Sequence, residues 1–373
     1  MIAIPQLKNK FFCIVDRHSP ELTAMVSSYL IEENYYLPIF EIQAVTAPRT
    51  HPIANPPDEH TFSQERAEEV ATSIRNAIVK LNGAENIIVV GLSEDQKTYL
   101  QLPDGFNIIT IDCPEDINIF LSPFFEEQRP ILSCQPDEIL KGLQQAVLTK
   151  HWLKIDLQAA PLTFTNNANG SCVVIEDDQS AMAVAAVNYA LSVQAEVIVV
   201  SPLIDGEERD ILYYFSDWKL HGDLSAYDRI LNAINTRIGA FSFSGYDYVT
   251  FFTAGIPYSL TVGAITCCTY VHMHCWPDHF TFNNILYATQ SGTGAGLVFS
   301  PLDFNSPVLP SANREIENVS KELSQINIHI HQLVGKQATM YNLSHHLQHY
   351  PYDLLHICSH GGKYRVREFA RNS

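Results

Sequence analysis

The first part of the chain alternates short apolar runs with longer stretches of mixed polarity. Apolar and β-branched residues dominate four runs that we predict to be strands: Phe11 to Val15, Leu37 to Ile42, Asn86 to Val90 and Asn107 to Ile111. The stretch from about Phe62 to Leu81 carries acidic residues early and basic residues late, which suits the dipole of a helix. The segment Ala47 to Glu59, rich in proline and polar residues, is predicted to be a loop. Strands that alternate with helices predict an α/β domain with a mostly parallel sheet.

A second α/β unit is predicted to begin near Ser171. Its elements are a strand, an alanine-rich helix and a second strand, at Cys172 to Ile175, about Ser180 to Ser192 and Glu196 to Val200. The run Glu176-Asp177-Asp178 follows the first of these strands, and carboxylates at such a place can bind a metal. The alternative, which we favour, is a solvated turn whose charges lie at the N-terminus of the next helix.

The pattern of apolar and polar residues in the C-terminal part of the chain predicts the order strand, helix, strand, helix, strand. The predicted elements are Gly296 to Ser300, Ser311 to Ile326, Ile328 to Val334, a helix through Met340 and Tyr350, and Leu354 to Cys358. Apolar residues share one face of the first helix, at Ala312, Ile316, Val319, Leu323 and Ile326, so this helix should pack on a sheet. Thr339 is a plausible N-cap of the second helix.

These patterns divide the chain into three predicted regions. They are an N-terminal α/β domain over 1–160, a second α/β unit over 171–290 and a C-terminal domain over 296–373. The glycine run Ser291 to Gly296 precedes a strand, whereas phosphate-binding loops follow a strand and open a helix. We therefore interpret it as a joint near residue 290. The predicted fold class is α/β, with mostly parallel sheets flanked by helices.

Composition narrows the choice of partners and compartment. The chain has 373 residues, 46% of them apolar, which is enough for a globular protein with several cores. Its formal charge of −18 argues against a nucleic-acid partner, because such proteins need a positive surface. Eight cysteines without a secretory signal predict reduced thiols and a cytoplasmic location.

The uncharged segment from Tyr248 to Pro277 is long enough to cross a bilayer. Glycine, proline, threonine and histidine interrupt it, however, and polar groups are costly in hydrocarbon. We therefore predict a buried strand and a loop here, and no membrane association.

Zinc-like ligand types are concentrated at the end of the same segment, in Cys267, Cys268, His272, His274, Cys275 and His279. Structural zinc prefers cysteine pairs separated by two to four residues and matched by a second pair, and this spacing is absent. The sequence favours a core strand followed by an exposed loop. We expect neither a metal nor a cofactor.

His360 lies in the turn from Ser359 to Gly362 that follows the last predicted strand. In open parallel sheets, functional residues lie beyond the carboxyl ends of the strands. A histidine there can transfer protons near neutral pH, and Gly361 and Gly362 would let a substrate approach the backbone. A structural role for His360 is the alternative.

Several segments of this region together resemble the CHAT family of caspase-like cysteine peptidases. They are Leu309-Pro310-Ser311-Ala312, Arg314-Glu315-Ile316, Gly335, Ala338-Thr339 and the run from Asp353 to Gly361. The resemblance extends from about Gly296 to Gly362. Its most specific part is the His-Gly pair that follows a strand.

The resemblance implies a partial caspase-like domain at the C-terminus that hydrolyses peptide bonds of a protein or peptide substrate through a Cys-His dyad. His360 would be the dyad histidine, and Gly361 would offer its backbone N–H to the oxyanion of the intermediate. The family's cysteine follows the next strand. A regulatory protein partner is a further expectation.

The sequence departs from the family pattern after this point. Only 13 residues follow His360 in the 373-residue chain, and none is a cysteine. We therefore expect either a fragment of a longer protein or a degenerate protein, and no activity from this chain alone. Cys358 shares a strand face with His360, so a local pairing is conceivable, although a thiol within a strand is usually inert.

Two rivals to the peptidase hypothesis remain open. One is a non-enzymatic pseudo-peptidase or docking protein that keeps the sheet as a binding surface. The other, weaker rival is a small-molecule enzyme that uses Glu176 to Asp178 or the histidine-rich loop.

Overall fold

The computed structural model describes residues 5–42, 59–81, 84–102, 104–162, 170–204, 206–239, 241–273, 277–290, 294–301, 310–325, 328–349 and 354–358. The chain divides into two compact units, Met1–Leu286 and Tyr287–Ser373. His360 and Gly361 lie outside the described residues, as do His274, Cys275 and most of the loop predicted from Ala47 to Glu59.

The first unit begins with an α/β sheet. Its elements in chain order are β1 (Gln6–Leu7), β2 (Phe11–Asp16), α1 (Pro20–Leu30), β3 (Tyr35–Tyr36), β4 (Ile39–Ile42), α2 (Glu59–Leu81), β5 (Asn86–Val90), α3 (Glu94–Leu100), β6 (Asn107–Ile111), α4 (Pro114–Leu121), β7 (Ile131–Cys134), α5 (Ile139–Leu148) and β8 (Trp152–Ile155). Four of these strands form sheet A, in the order β4-β2-β5-β6, and all are parallel. The short pairs β1-β3 and β7-β8 are separate.

A second sheet of the first unit follows along the chain. Its elements are β9 (Ser171–Glu176), α6 (Ala181–Ser192), β10 (Glu196–Val200), α7 (Glu207–His221), α8 (Leu224–Ile238), β11 (Tyr248–Thr253), α9 (Ser259–Val262), β12 (Cys267–His272) and α10 (Pro277–Gln290). The four strands form sheet B, in the order β10-β9-β11-β12, and all are parallel.

Sheets A and B share one hydrophobic core. Val15 of β2 and Ile175 of β9 belong to the same buried cluster as Met25 of α1, Leu143 of α5 and Val184 of α6. Helix α6 is apolar on nearly every side because it packs in the middle of this cluster. The opposite face of sheet B packs against a separate cluster that includes residues of α7 and α8.

The second unit contains three strands and two α-helices within its described residues: β13 (Gly294–Ser300), α11 (Pro310–Gln325), β14 (Ile328–Val334), α12 (Met340–His349) and β15 (Leu354–Ile357). The strands form sheet C, in the order β14-β13-β15, and all are parallel. Val298 of β13 lies in register with Gln332 and His356.

Helices cover opposite faces of sheet C. Ala312 and Ile316 of α11 are buried, and Ser320 of α11 accepts a hydrogen bond from Gln332, on the face that carries Val298. Leu343 of α12 belongs to the cluster on the other face, with Leu297, Phe299, Leu333 and Ala338. The first crossover runs from β13 to β14, and the second returns from β14 past β13 to β15. Right-handed crossovers that run in opposite directions across a parallel sheet place their helices on opposite faces.

The predicted fold class is confirmed: the protein is α/β, with parallel sheets flanked by helices. Four predicted strands have the observed bounds, namely Asn86–Val90, Asn107–Ile111, Glu196–Val200 and Ile328–Val334. Other bounds shift by a few residues, since β13 begins at Gly294 and α2 begins at Glu59. The uncharged segment from Tyr248 to Pro277 contains β11, α9 and β12. Within the described ranges, every helix is too short or too polar to cross a bilayer.

Candidate active site

The carboxyl ends of β13 and β15 form the edge of sheet C where functional residues are expected. The chain leaves β13 for β14 on one side and then crosses to β15 on the other side, so the strand order reverses between β13 and β15. Open α/β sheets bind ligands in the crevice at such a switch point. The Cys358 N–H donates to the Phe299 carbonyl at 2.9 Å and extends the ladder to this edge. His360 and Gly361, which the sequence predicts to act here, follow two and three residues later.

Glu315 connects α11 to β15 at this edge. Its Oε1 lies 3.0 Å from His356 Nε2, and its Oε2 accepts a hydrogen bond from Cys358 Sγ at 3.6 Å. Glu315 contacts both His356 and Cys358 on one face of the sheet, because alternate residues of a strand project to the same face. The contact holds the first turns of α11 over the last strand.

The Cys358 thiol is poorly suited to act as a nucleophile. Burial raises its pKa, and the nearby Glu315 carboxylate raises it further. A nucleophilic cysteine needs the opposite, a positive environment that stabilises the thiolate. The structure therefore disfavours a local pairing of Cys358 with His360.

Glu176 lies at the corresponding switch point of sheet B, between β9 and β11. Its side chain is 1% exposed, and its carboxylate accepts three hydrogen bonds. The donors are Thr253 Oγ1 at 2.7 Å, the Ala254 N–H at 2.6 Å and Tyr258 OH at 2.9 Å. The prediction of a solvated turn from Glu176 to Asp178 is thus wrong for Glu176, because these donors satisfy the carboxylate inside the protein.

The other two acids of this run behave as predicted for a turn before a helix. Asp178 accepts hydrogen bonds from the Ser180 N–H and hydroxyl, and Ser180 caps α6. Asp178 also lies 3.3 Å from the Arg17 guanidinium. Asp177 accepts from the Gln179 N–H, and burial raises the pKa of its carboxyl. Both acids line a cleft of about 400 Å³ together with Gln179, Val199, Val200, Ser201 and Pro202.

The cysteine and histidine cluster is spread over two elements. Cys267 is exposed at the start of β12, while burial raises the pKa of the neighbouring Cys268 thiol. His279 belongs to α10, where its Nδ1 lies 3.1 Å from Ser73 Oγ. In the part of the chain that the structure describes, no three such side chains converge as a metal site would require.

Comparisons with known proteins add no relative. The chain matches no protein-family model, no curated protein and no solved structure.

Sequence reasoning missed two of the residues that organise these strand ends. Glu315 was recognised only as part of a family-like segment, and its contact with His356 joins residues 41 positions apart. The buried role of Glu176 depends on donors 77 to 82 positions away. Period-2 alternation of His356 and Cys358 was the one local signal that they share a polar partner.

Proposed function

We propose that the second unit is the histidine-bearing half of a CHAT-type, caspase-like cysteine-peptidase domain. The observation that carries this proposal is the strand order of sheet C. Three parallel strands in the order β14-β13-β15 bring the end of β15 to a switch point, and the His360-Gly361 pair begins three residues after this end in the sequence.

The proposed reaction divides the work between His360, Gly361 and a cysteine thiolate. The thiolate attacks the carbonyl carbon of a peptide bond, and the Gly361 N–H donates to the resulting oxyanion. The C–N bond then breaks, the amine leaves with a proton from His360, and water hydrolyses the thioester. The sequence has no cysteine after His360. The proposal therefore assigns the cysteine of the dyad to none of these 373 residues.

Peptide cleavage by a protein whose reading frame continues beyond Ser373 tests this proposal. His360→Ala should reduce cleavage to background, because both the thiolate and the leaving amine depend on the imidazole. His356→Ala is the matched control and should leave cleavage nearly unchanged, since His356 contacts Glu315 instead. Unchanged cleavage in His360→Ala, or thiol-dependent cleavage by the 373-residue chain, would reject the proposal.

A non-enzymatic docking protein is the second candidate. Leu355 and Ile357 of β15 are 36% and 49% exposed, on the face opposite Glu315. An exposed apolar strand is a site to which a partner could add. A reading frame without a further strand and cysteine after Ser373 would favour this candidate.

A further inference from the structure

Two nine-residue segments of the chain follow the same pattern. Asp247–Gly255 reads DYVTFFTAG, and Asp353–Gly361 reads DLLHICSHG. Both begin with aspartate, continue through mostly apolar positions to a hydroxyl residue, and end in glycine. The position before this glycine is Ala254 in one segment and His360 in the other.

The sheets that contain these segments have the same topology. In sheet B the first three strands along the chain are ordered β10-β9-β11, and in sheet C they are ordered β14-β13-β15. The segments supply the third strand in each case. The first crossover helix, α6 or α11, packs on one face of its sheet, and the helix before the third strand, α8 or α12, packs on the other.

The strand register agrees with the sequence alignment. Phe251 pairs with Val174 on the face of sheet B covered by α8, and Ile357 pairs with Phe299 on the face of sheet C covered by α12. The alignment places Phe251 on Ile357. A slip of one residue would exchange the two faces, so the agreement excludes such a slip. In this alignment Ala254 corresponds to His360, and Gly255 corresponds to Gly361.

The switch point of sheet B is filled by Glu176. Its carboxylate accepts hydrogen bonds from the Ala254 N–H and from the hydroxyl groups of Thr253 and Tyr258. At the equivalent place in sheet C, two residues after Phe299, the chain has Pro301, which offers no carboxylate. The two sheets therefore differ at the place where a ligand would bind.

We propose that residues 171–272 are a second, non-catalytic copy of the module of residues 294–358, and that Glu176 closes its crevice as an internal carboxylate ligand. The copy relationship stands on register and sequence, because sheet A has the same order of its first three strands, β4-β2-β5, and this order alone does not single out sheets B and C. Only the description of the C-terminal module as catalytic rests on the proposed function.

Chemical rescue tests the internal ligand. Glu176→Ala removes the carboxylate and leaves its three donors, which should then bind acetate. Acetate at roughly ten times its Kd should raise the Tm of this variant by about 2–4 °C over chloride at equal ionic strength. Glu196→Ala is the matched control, because Glu196 is a buried carboxylate of the same sheet whose described side-chain partner is the single Tyr246 hydroxyl.

The outcomes of this experiment are decisive in either direction. A saturable rise in Glu176→Ala that exceeds those of Glu196→Ala and the unaltered protein supports the proposal, and equal rises overturn it. If Glu176→Ala does not fold in chloride, the yield of refolding from urea is measured instead. Recovery in acetate supports the proposal, and failure in both salts overturns it.

Superposition tests the copy relationship independently of peptidase activity. In an experimental structure of the full chain, strands β10, β9 and β11 are superposed on β14, β13 and β15. The Cα atoms of Ala254 and His360 should then coincide within about 2 Å, whereas a separation of one residue step, about 3.3 Å or more, would overturn the proposal. Loss of peptide cleavage in His360→Ala is a separate result, so failure of one proposal does not imply failure of the other.

Discussion

Sheets B and C have the same order of their first three strands but treat polar groups at the strand ends differently. In sheet B, Glu176 is 1% exposed and its carboxylate is held by three donors. In sheet C, the Glu315 side chain is 50% exposed and its His356 partner is 27% exposed. A sealed strand end contributes to stability but is closed to ligands, whereas an open one is available to them.

The two units also differ in their number of buried carboxylates within the described residues. Four carboxylate side chains are buried within the described residues, namely Glu41, Glu176, Glu196 and Asp278. All four belong to the first unit. Substitution of one of these buried carboxylates should therefore strongly affect the stability of the first unit. Substitution of the half-exposed Glu315 should only weakly affect that of the second unit.

Removal of the Glu176 carboxylate should give the largest effect. In Glu176→Ala the Ala254 N–H and two hydroxyl groups lose their acceptor inside the protein, at a cost of about 3–5 kcal/mol in the free energy of unfolding. Glu176→Gln keeps the shape and one acceptor oxygen, so it should cost about half as much. Urea unfolding of both variants measures these values. A loss below about 1 kcal/mol in Glu176→Ala would show that the sealed end is not a source of stability.

The sequence predicts the strands of both sheets better than it predicts their ends. The predicted bounds of the strands Asn86–Val90 and Ile328–Val334 agree with the observed ones. In both strands, β-branched residues are bounded by a turn or by polar residues, which is a clear local signal. Helix α3 was not predicted, although its Ser93 and Gln96 form a capping box that a sequence can show.

Glu176 could not be placed from its neighbours in sequence. Three consecutive acids look like a solvated turn, and Asp177 and Asp178 do lie in a loop before α6, although both are partly buried. The donors that bury Glu176 belong to β11 and to the loop after it, so only the completed sheet brings them together. The likeness of Asp247–Gly255 to Asp353–Gly361 was present in the sequence, but no search at periods typical of repeat proteins would find it.

Two adjacent residues of α10, Asp278 and His279, should make the free energy of unfolding depend on pH in opposite directions. Their two contributions should nearly cancel. Burial raises the pKa of Asp278 from 3.8 to about 7 and lowers that of His279 from 6.5 to about 4. The Asp278 contribution to stability is present below pH 3.8 and lost as the pH rises towards 7. The His279 contribution is present above pH 6.5 and lost as the pH falls towards 4. Between these limits the pair binds one proton in each state, on Asp278 when folded and on His279 when unfolded. The combined contribution of these two residues to stability should therefore be nearly independent of pH.

Single substitutions should unmask the two opposite slopes. Asp278→Asn should lose on the order of 3 kcal/mol as the pH falls from 6.5 to 4, and His279→Gln a similar amount as the pH rises from 4 to 7. Chemical unfolding across this range, against the unaltered protein, measures both slopes. Two flat curves would contradict the inferred burial of these groups.

Helix caps offer a smaller comparison between the sheets. Ser180, which is buried, caps α6 through the Met182 N–H and also donates to Asp178. Thr339 caps α12 at an exposed position by accepting the Asn342 N–H. Replacement by alanine should cost about 1–2 kcal/mol at Ser180 and about 0.5–1 kcal/mol at Thr339. Thermal unfolding compares the two variants, and a larger loss at Thr339 would reverse the expected order.

The smallest effect is expected for the pair that lies beside the proposed active site. His356 and Glu315 are 3.0 Å apart, yet both are partly exposed, and water screens such pairs. A double-mutant cycle with His356→Ala and Glu315→Gln should give a coupling energy below about 1 kcal/mol, reduced further by salt. A coupling above about 2 kcal/mol would mean that this end of sheet C is as tightly sealed as that of sheet B. In that case the end of sheet C would be no more open than the end of sheet B, and the assignment of ligand binding to sheet C would lose its physical basis.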